Sequence, residues 1–113
     1  MAYWNIWLPL VILAAYLVWK RVRMRRVQSL IAAPSTFIID VRTRAEFASG
    51  ANEKSLNIPL DELPVKIAQL DRRRPIVVCC ASGGRSALAA AMLRNNGFAQ
   101  VTNAGAWTNT CAC

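Results

Sequence analysis

The sequence predicts an α/β domain, a small and mostly parallel sheet flanked by helices, preceded by one transmembrane helix. Three observations carry this expectation. Met1 to Trp19 contains no charged side chain. Two compact apolar runs, Thr36–Val41 and Pro75–Cys79, alternate with stretches of helical character, which is how buried parallel strands read. The second run leads through Gly83-Gly84 directly into a helical segment, the strand–loop–helix order in which α/β folds place ligands. Residues 1–26 are expected to form the anchor with its basic flank, and residues 27–113 one folded domain.

Each element has a local reason. Tyr3–Trp19 reads YWNIWLPLVILAAYLVW, and about 20 helical residues cross a ~30 Å hydrocarbon core. Tyr3, Trp4 and Trp7 at one end and Tyr16 and Trp19 at the other suit the two membrane–water interfaces. A cleaved signal peptide would carry its positive charge before the apolar run, whereas here five cations follow it, Lys20, Arg21, Arg23, Arg25 and Arg26. That order predicts a single-pass anchor with its folded domain in the cytoplasm, the basic flank held at the inner surface. Val27–Ala33 reads as a short helix stopped by Pro34. Thr36–Val41 is the first strand. Thr43 caps a helix over Arg44–Ser49, which Gly50 ends. Ser55–Pro59 is a short extended piece. Asp61–Leu70 is a helix with Pro64 in its first turn. After the strand Pro75–Cys79 comes a helix over Ser86–Asn96 with Gly97 beyond it, then a last strand over Ala99–Thr102.

Net charge is +8, but it is uneven. Val27–Cys113 has nine Lys/Arg against six Asp/Glu, a net of +3, so the basic excess belongs to the bilayer contact and no nucleic-acid partner is expected. The four cysteines, Cys79, Cys80, Cys111 and Cys113, lie in pairs too close in sequence to staple a fold. No histidine is present, which removes the commonest general base and metal ligand. No cofactor or metal is expected, and zinc held by the four cysteines is disfavoured by the awkward geometry of the vicinal pair.

The chemistry concentrates in Cys80-Ala81-Ser82-Gly83-Gly84-Arg85-Ser86. Glycines let backbone amides approach a ligand, and successive amides ahead of a helix N-terminus cradle an anion. A cysteine at the mouth of such a cradle is held as thiolate, its reactive form. Arg85 adds a permanent charge and a planar fork for an oxyanion. Cys79, one residue earlier and inside the strand, reads as a structural core residue.

This loop resembles the C-x-x-G-x-R-S active-site loop of single-domain rhodaneses. Asp40-Val41-Arg42 with Glu46-Phe47 and Gly50 is similar to the family's D-V-R-x-x-x-E-F-x-x-G element, and Asn57-Ile58-Pro59-Leu60 to its N-I-P-L strand. Gly97-Phe98 and Val101 through Asn103-Ala104-Gly105 resemble its closing strand. The resemblance spans roughly Phe37 to Trp107 in the right order. It implies a rhodanese-like fold and a sulfurtransferase. Cys80 would take sulfane sulfur from a donor such as thiosulfate as a persulfide. The amides of Ala81 to Ser86 would hold the donor, Arg85 would orient it, and a thiol or cyanide would accept the sulfur. Asp40 and Arg42 would serve as scaffold. Gly50–Ser55 departs from the family's G-H-I-x-G-A, and Cys111 and Cys113 have no family counterpart; a persulfide-resolving role, metal binding and a frayed tail are all compatible with them.

Two other functions fit less well. Cysteine phosphatases place five residues between Cys and Arg to surround phosphate, whereas four separate Cys80 from Arg85. A non-catalytic binding or persulfide-sensing module at the membrane is the alternative, although such modules often lack the cysteine that this chain keeps.

Overall fold

The computed structural model describes residues 4–111. Cys113 and the aromatic Tyr3 lie outside the described residues. Helix α1 runs unbroken over Trp4–Ala32, 29 residues or about 43 Å. Nothing between Pro9 and Pro34 breaks a helix, so the apolar run, the basic flank and the first part of the folded domain share one axis. The expected boundary at residue 26 is therefore not a break in structure. Among the described residues α1 is the one helix long and apolar enough to cross a membrane. Its apolar half is exposed on every side, with Leu8, Val11, Leu13 and Val18 all more than half exposed. A soluble core helix would bury such residues.

Four strands form a wholly parallel sheet: β1 (Phe37–Asp40), β2 (Ser55–Asn57), β3 (Ile76–Cys80) and β4 (Val101–Ala106), in the order β2-β1-β3-β4. Helices α2 (Arg44–Ala48), α3 (Leu63–Lys66) and α4 (Gly84–Asn95) complete the domain, with 3-10 turns at Ile67–Gln69 and Trp107–Thr110. Alternation along the strands divides the core in two. Ile39, Val78 and Cys80 face one side with Leu63, Ala89 and Leu93; Ile38, Val77 and Cys79 face the other with Val27 and Ile31 of α1. The last turns of the apolar-rich helix thus cover one face of the sheet.

Several boundaries differ from the sequence expectation. The helix expected over Asp61–Leu70 is one α-turn continued by a 3-10 turn. Cys80 ends strand β3 instead of opening the loop, because its neighbour β4 extends the pairing to Cys80↔Ala106. The last strand is Val101–Ala106, later and longer than Ala99–Thr102; parallel pairing to β3 overrides the weak strand preference of Asn103 and Gly105. The tail is packed where it is described: Thr110 is fully buried and accepts from Asn52 Nδ2 through its carbonyl at 2.8 Å. Asn52, in the stretch that departs from the family motif, also orders its own turn by accepting from Lys54 N at 2.9 Å.

Candidate active site

The site stands at the carboxyl end of β3, where the strand turns sharply into α4. The turn depends on Gly83, whose φ of +106° lies in the region L-residues avoid. A Cβ there would also stand 3.2 Å from Gly105 Cα. That close approach comes from a bulge in β4: Val78 pairs with Asn103 but Cys79 with Gly105, leaving Ala104 extra. Asn103 Oδ1 stabilises the bulge by accepting from Gly105 N at 2.9 Å. Gly84 is different. Its backbone is ordinary and nothing lies within 4 Å of a Cβ there, so only one of the two glycines is required by conformation.

The seven residues singled out in the sequence take unequal positions. Cys80 is 1% exposed. Its Sγ accepts from Gly83 N at 2.9 Å and lies 3.4 Å from Ser86 Oγ. Ala81, Ser82 and Gly84 are exposed, and Gly84, Arg85 and Ser86 already form the first turn of α4. Ser86 is buried, with a hydroxyl facing three acceptors: Asn103 Oδ1 at 2.6 Å, Gly83 O at 3.1 Å and the sulfur. It has one proton to give, so ionisation of the thiol draws that proton toward Sγ. Burial is the largest single influence on the Cys80 thiol and acts to raise its pKa. Donation from the Ser86 hydroxyl and from the backbone amides of Ser86, Gly83 and Ser82 outweighs it, and the net shift is downward.

Arg85 directs its fork toward α2. Its Nη1 and Nη2 donate to Glu46 Oε1 and Oε2 at 2.6 and 2.9 Å, a bidentate pair bridging α4 to α2. The expected oxyanion fork therefore has a carboxylate of the protein as its partner, with two of its five N–H donors engaged. The same Glu46 closes the capping box of α2, accepting from Thr43 N at 3.1 Å. Arg85, followed by backbone and hydroxyl donation from Thr43, lowers the Glu46 pKa to about 2.

Asp40 and Arg42 are buried beneath this bridge. Arg42 donates to Asp40 Oδ2 at 2.7 Å, to Gly50 O at 2.7 Å and to Glu46 O at 3.3 Å, and it stacks on Trp107 at 4.7 Å. They tie the α2 loop to the sheet, and none of the bonds they make goes to the Cys80 sulfur. Cys79 and Cys80 lie in opposite apolar clusters, so the vicinal pair cannot share one metal ion. Sequence reasoning missed Asn103 as a partner of Ser86 and Glu46 as a partner of Arg85. Glu46 enters the sequence reading only as part of the D-V-R-x-x-x-E-F element; the T-x-x-E spacing from Thr43 is the local signal for its place in a capping box.

Comparison with known proteins agrees with this geometry. Residues 24–109 match the rhodanese-like domain family. A sulfurtransferase of Allochromatium vinosum is 33% identical over 76 residues, covering 67% of this chain and 71% of the relative. Among solved structures, a protein from Staphylococcus saprophyticus superposes with a TM-score of 0.66 at 26% identity, covering 78% of this chain and 89% of that one. A rhodanese from E. coli, solved with anions, superposes with a TM-score of 0.62 at 30% identity, covering 66% of this chain and 89% of that one.

Proposed function

The chain belongs to the rhodanese-like family, and from that premise we propose that it is a sulfurtransferase that carries sulfane sulfur as a persulfide on Cys80. One observation carries the reading: the Cys80 sulfur accepts from Gly83 N at 2.9 Å beside the Ser86 hydroxyl, an environment that favours thiolate. The thiolate attacks the outer sulfur of a donor such as thiosulfate. A new S–S bond forms, the old one breaks, and sulfite leaves with its electron pair. A thiolate or cyanide then attacks the terminal sulfur and releases the Cys80 thiolate. Near-complete burial of Cys80 favours a small donor. Ala81, Ser82, Gly83, Gly84 and Ser86 supply the amide cradle, and a similar chain, the E. coli rhodanese, was solved with anions. Arg85 acts by bracing the cradle on Glu46.

The membrane reading is part of the same proposal. The exposed apolar half of α1 and the five cations that follow it support a single-pass anchor with the catalytic domain in the cytoplasm. A reporter fused after Cys113 is expected to behave as cytoplasmic, and reporter activity on the opposite side would overturn the topology. For the chemistry, mass spectrometry after thiosulfate treatment is expected to find one added sulfur on Cys80. Its appearance on Cys79, or on no cysteine, would overturn the mechanism.

A further inference from the structure

Where α1 leaves the sheet it overhangs the domain and encloses a cleft of about 620 Å³ against α4 and β4. One wall is the stripe Trp19, Val22, Arg23 and Arg26, spaced as neighbours on one helix face. Ala87 and Ala90 of α4 are part of the opposite wall, with Arg94. Three guanidiniums line the cleft and no carboxylate does. Arg23 Nη2 donates to Asn103 O at 2.7 Å and Arg94 Nη2 to Val101 O at 3.0 Å. Each fork keeps further N–H donors for an oxyanion. Among the described residues Arg26 has no hydrogen bond, ion pair or ring contact.

The cleft's position identifies the ligand. Trp19 is the last residue of the uncharged run, and its ring lies under Arg23 at 5.2 Å. With α1 across a bilayer, Trp19 sits at the edge of the hydrocarbon. The backbone of Arg23 lies about 6 Å further along the axis, within the headgroup layer of roughly 5–8 Å on each side, and that of Arg26 about 10 Å along, just beyond it and within reach of a long side chain. The cleft therefore opens at phosphate depth, with apolar side chains at its membrane end and cations at its aqueous end. We infer that it is a binding site for the phosphate headgroup of an anionic phospholipid. This inference rests on the reading of α1 as a membrane anchor.

The test uses the full chain in nanodiscs of phosphatidylcholine, alone or mixed with phosphatidylglycerol, followed by native mass spectrometry of lipid retained on the released protein. Two double variants each remove two positive charges. Arg26→Gln with Arg94→Gln empties the cleft of two of its cations. Arg21→Gln with Arg25→Gln removes the same charge from the basic flank outside it. Wild type is expected to retain phosphatidylglycerol in preference to phosphatidylcholine. The cleft variant is expected to lose about tenfold in retained phosphatidylglycerol, and the flank variant less than about twofold. Arg26→Gln alone, which breaks no contact within the protein, is expected to lose a few-fold and guards against misfolding of the double variant. Equal losses in both double variants would reduce the effect to general surface charge and overturn the site. Displacement of the lipid by millimolar inorganic phosphate would reassign the cleft to a soluble ligand and also overturn it. Failure to enter neutral nanodiscs would overturn the anchor itself, whereas entry without any lipid preference would overturn the cleft alone.

Discussion

Cys79 and Cys80 are one peptide bond apart, yet they belong to different chemical regions. Strand alternation turns Cys79 toward α1, into the cluster of Val27, Ile38 and Val77. There burial first, and the Asp40 carboxylate second, push its thiol up to about 12. Cys80 faces the other side, where backbone amides and the Ser86 hydroxyl converge and pull its thiol down. Neither residue is open to solvent. Exposure therefore does not separate the two thiols; hydrogen-bond donors aimed at the sulfur favour ionisation of Cys80 and not of Cys79.

The sharpest way to break this comparison is to remove each sulfur in turn. Cys80→Ser keeps the size of the side chain but loses the soft, readily ionised nucleophile. Thiosulfate turnover is expected to fall by at least about a thousandfold. Cys79→Ser is expected to keep turnover within a few-fold while costing about 1–3 kcal/mol of stability for a hydroxyl placed in an apolar cluster. Turnover assays and denaturant melts read the two effects separately. Near wild-type turnover in Cys80→Ser would remove the basis for contrasting the two faces.

The two glycines sharpen it further. At Gly83 a side chain meets both a left-handed φ and the Gly105 backbone 3.2 Å away. Gly83→Ala is expected to cost about 1–2 kcal/mol from the backbone conformation alone. It should also move the amide that donates to Cys80, lowering turnover about tenfold or more. Gly84→Ala enters open space at the first turn of α4 and is expected to be neutral or to stabilise by up to about 1 kcal/mol. Equal damage from the two substitutions, read by melting and turnover, would show that the turn is not what organises the site.

Cys80 and its loop are legible in the sequence because strand, loop and helix are consecutive, and the Gly-Gly-Arg-Ser spacing is local. The sheet order is less accessible. Pairing of β3 with both β1 and β4 joins segments far apart in the chain, and the bulge at Ala104 leaves no local signal. The Glu46–Arg85 bridge links residues 39 apart, so no spacing rule could find it. The charge change after Trp19 marks a boundary in composition only, because Lys and Arg are good helix formers and the backbone continues through them. Val27 and Ile31, which hold α1 to the sheet, are visible in the sequence only as part of a short helix.

A smaller contrast separates the two thiols by pH. Cys80, lowered, is expected to react with iodoacetamide at a rate that rises through a pKa below the ordinary thiol value of 9.0. Cys79, raised to about 12, should stay unreactive through neutral pH. Its stability consequence has a definite sign. A group whose folded pKa is raised contributes stability that is whole below the unfolded pKa and is lost as pH rises toward the folded one. Wild type should therefore lose stability between about pH 9 and 12 more steeply than Cys79→Ala, by up to about 1.4 kcal/mol per pH unit. Parallel alkaline melting curves for the two proteins would remove Cys79 from the account.

The smallest expected effect concerns the clamp between α2 and α4. Glu46 and Arg85 are each about one-third exposed, at 36% and 37%, so solvent screens their attraction and the pair adds little to global stability. Its geometry is nevertheless specific: two parallel hydrogen bonds fix the guanidinium, and the same carboxylate closes the capping box at Thr43. Glu46→Gln keeps the shape but removes the charge and one acceptor, so Arg85 is released from α2. Turnover is expected to fall a few-fold, chiefly by raising KM for an anionic donor through a looser cradle, with the melting temperature barely changed. The sign of the acid dependence follows from the lowered pKa. The contribution of Glu46 is whole above about pH 4.5 and is lost as pH falls toward about 2, so Glu46→Gln should flatten the acid limb of the stability curve over that interval. High salt should mimic the substitution in the wild type and leave the variant unaffected. If releasing Arg85 instead raised affinity for thiosulfate, the carboxylate would be competing with the donor for the same fork, and Arg85 would be a donor-binding residue held in reserve instead of a brace.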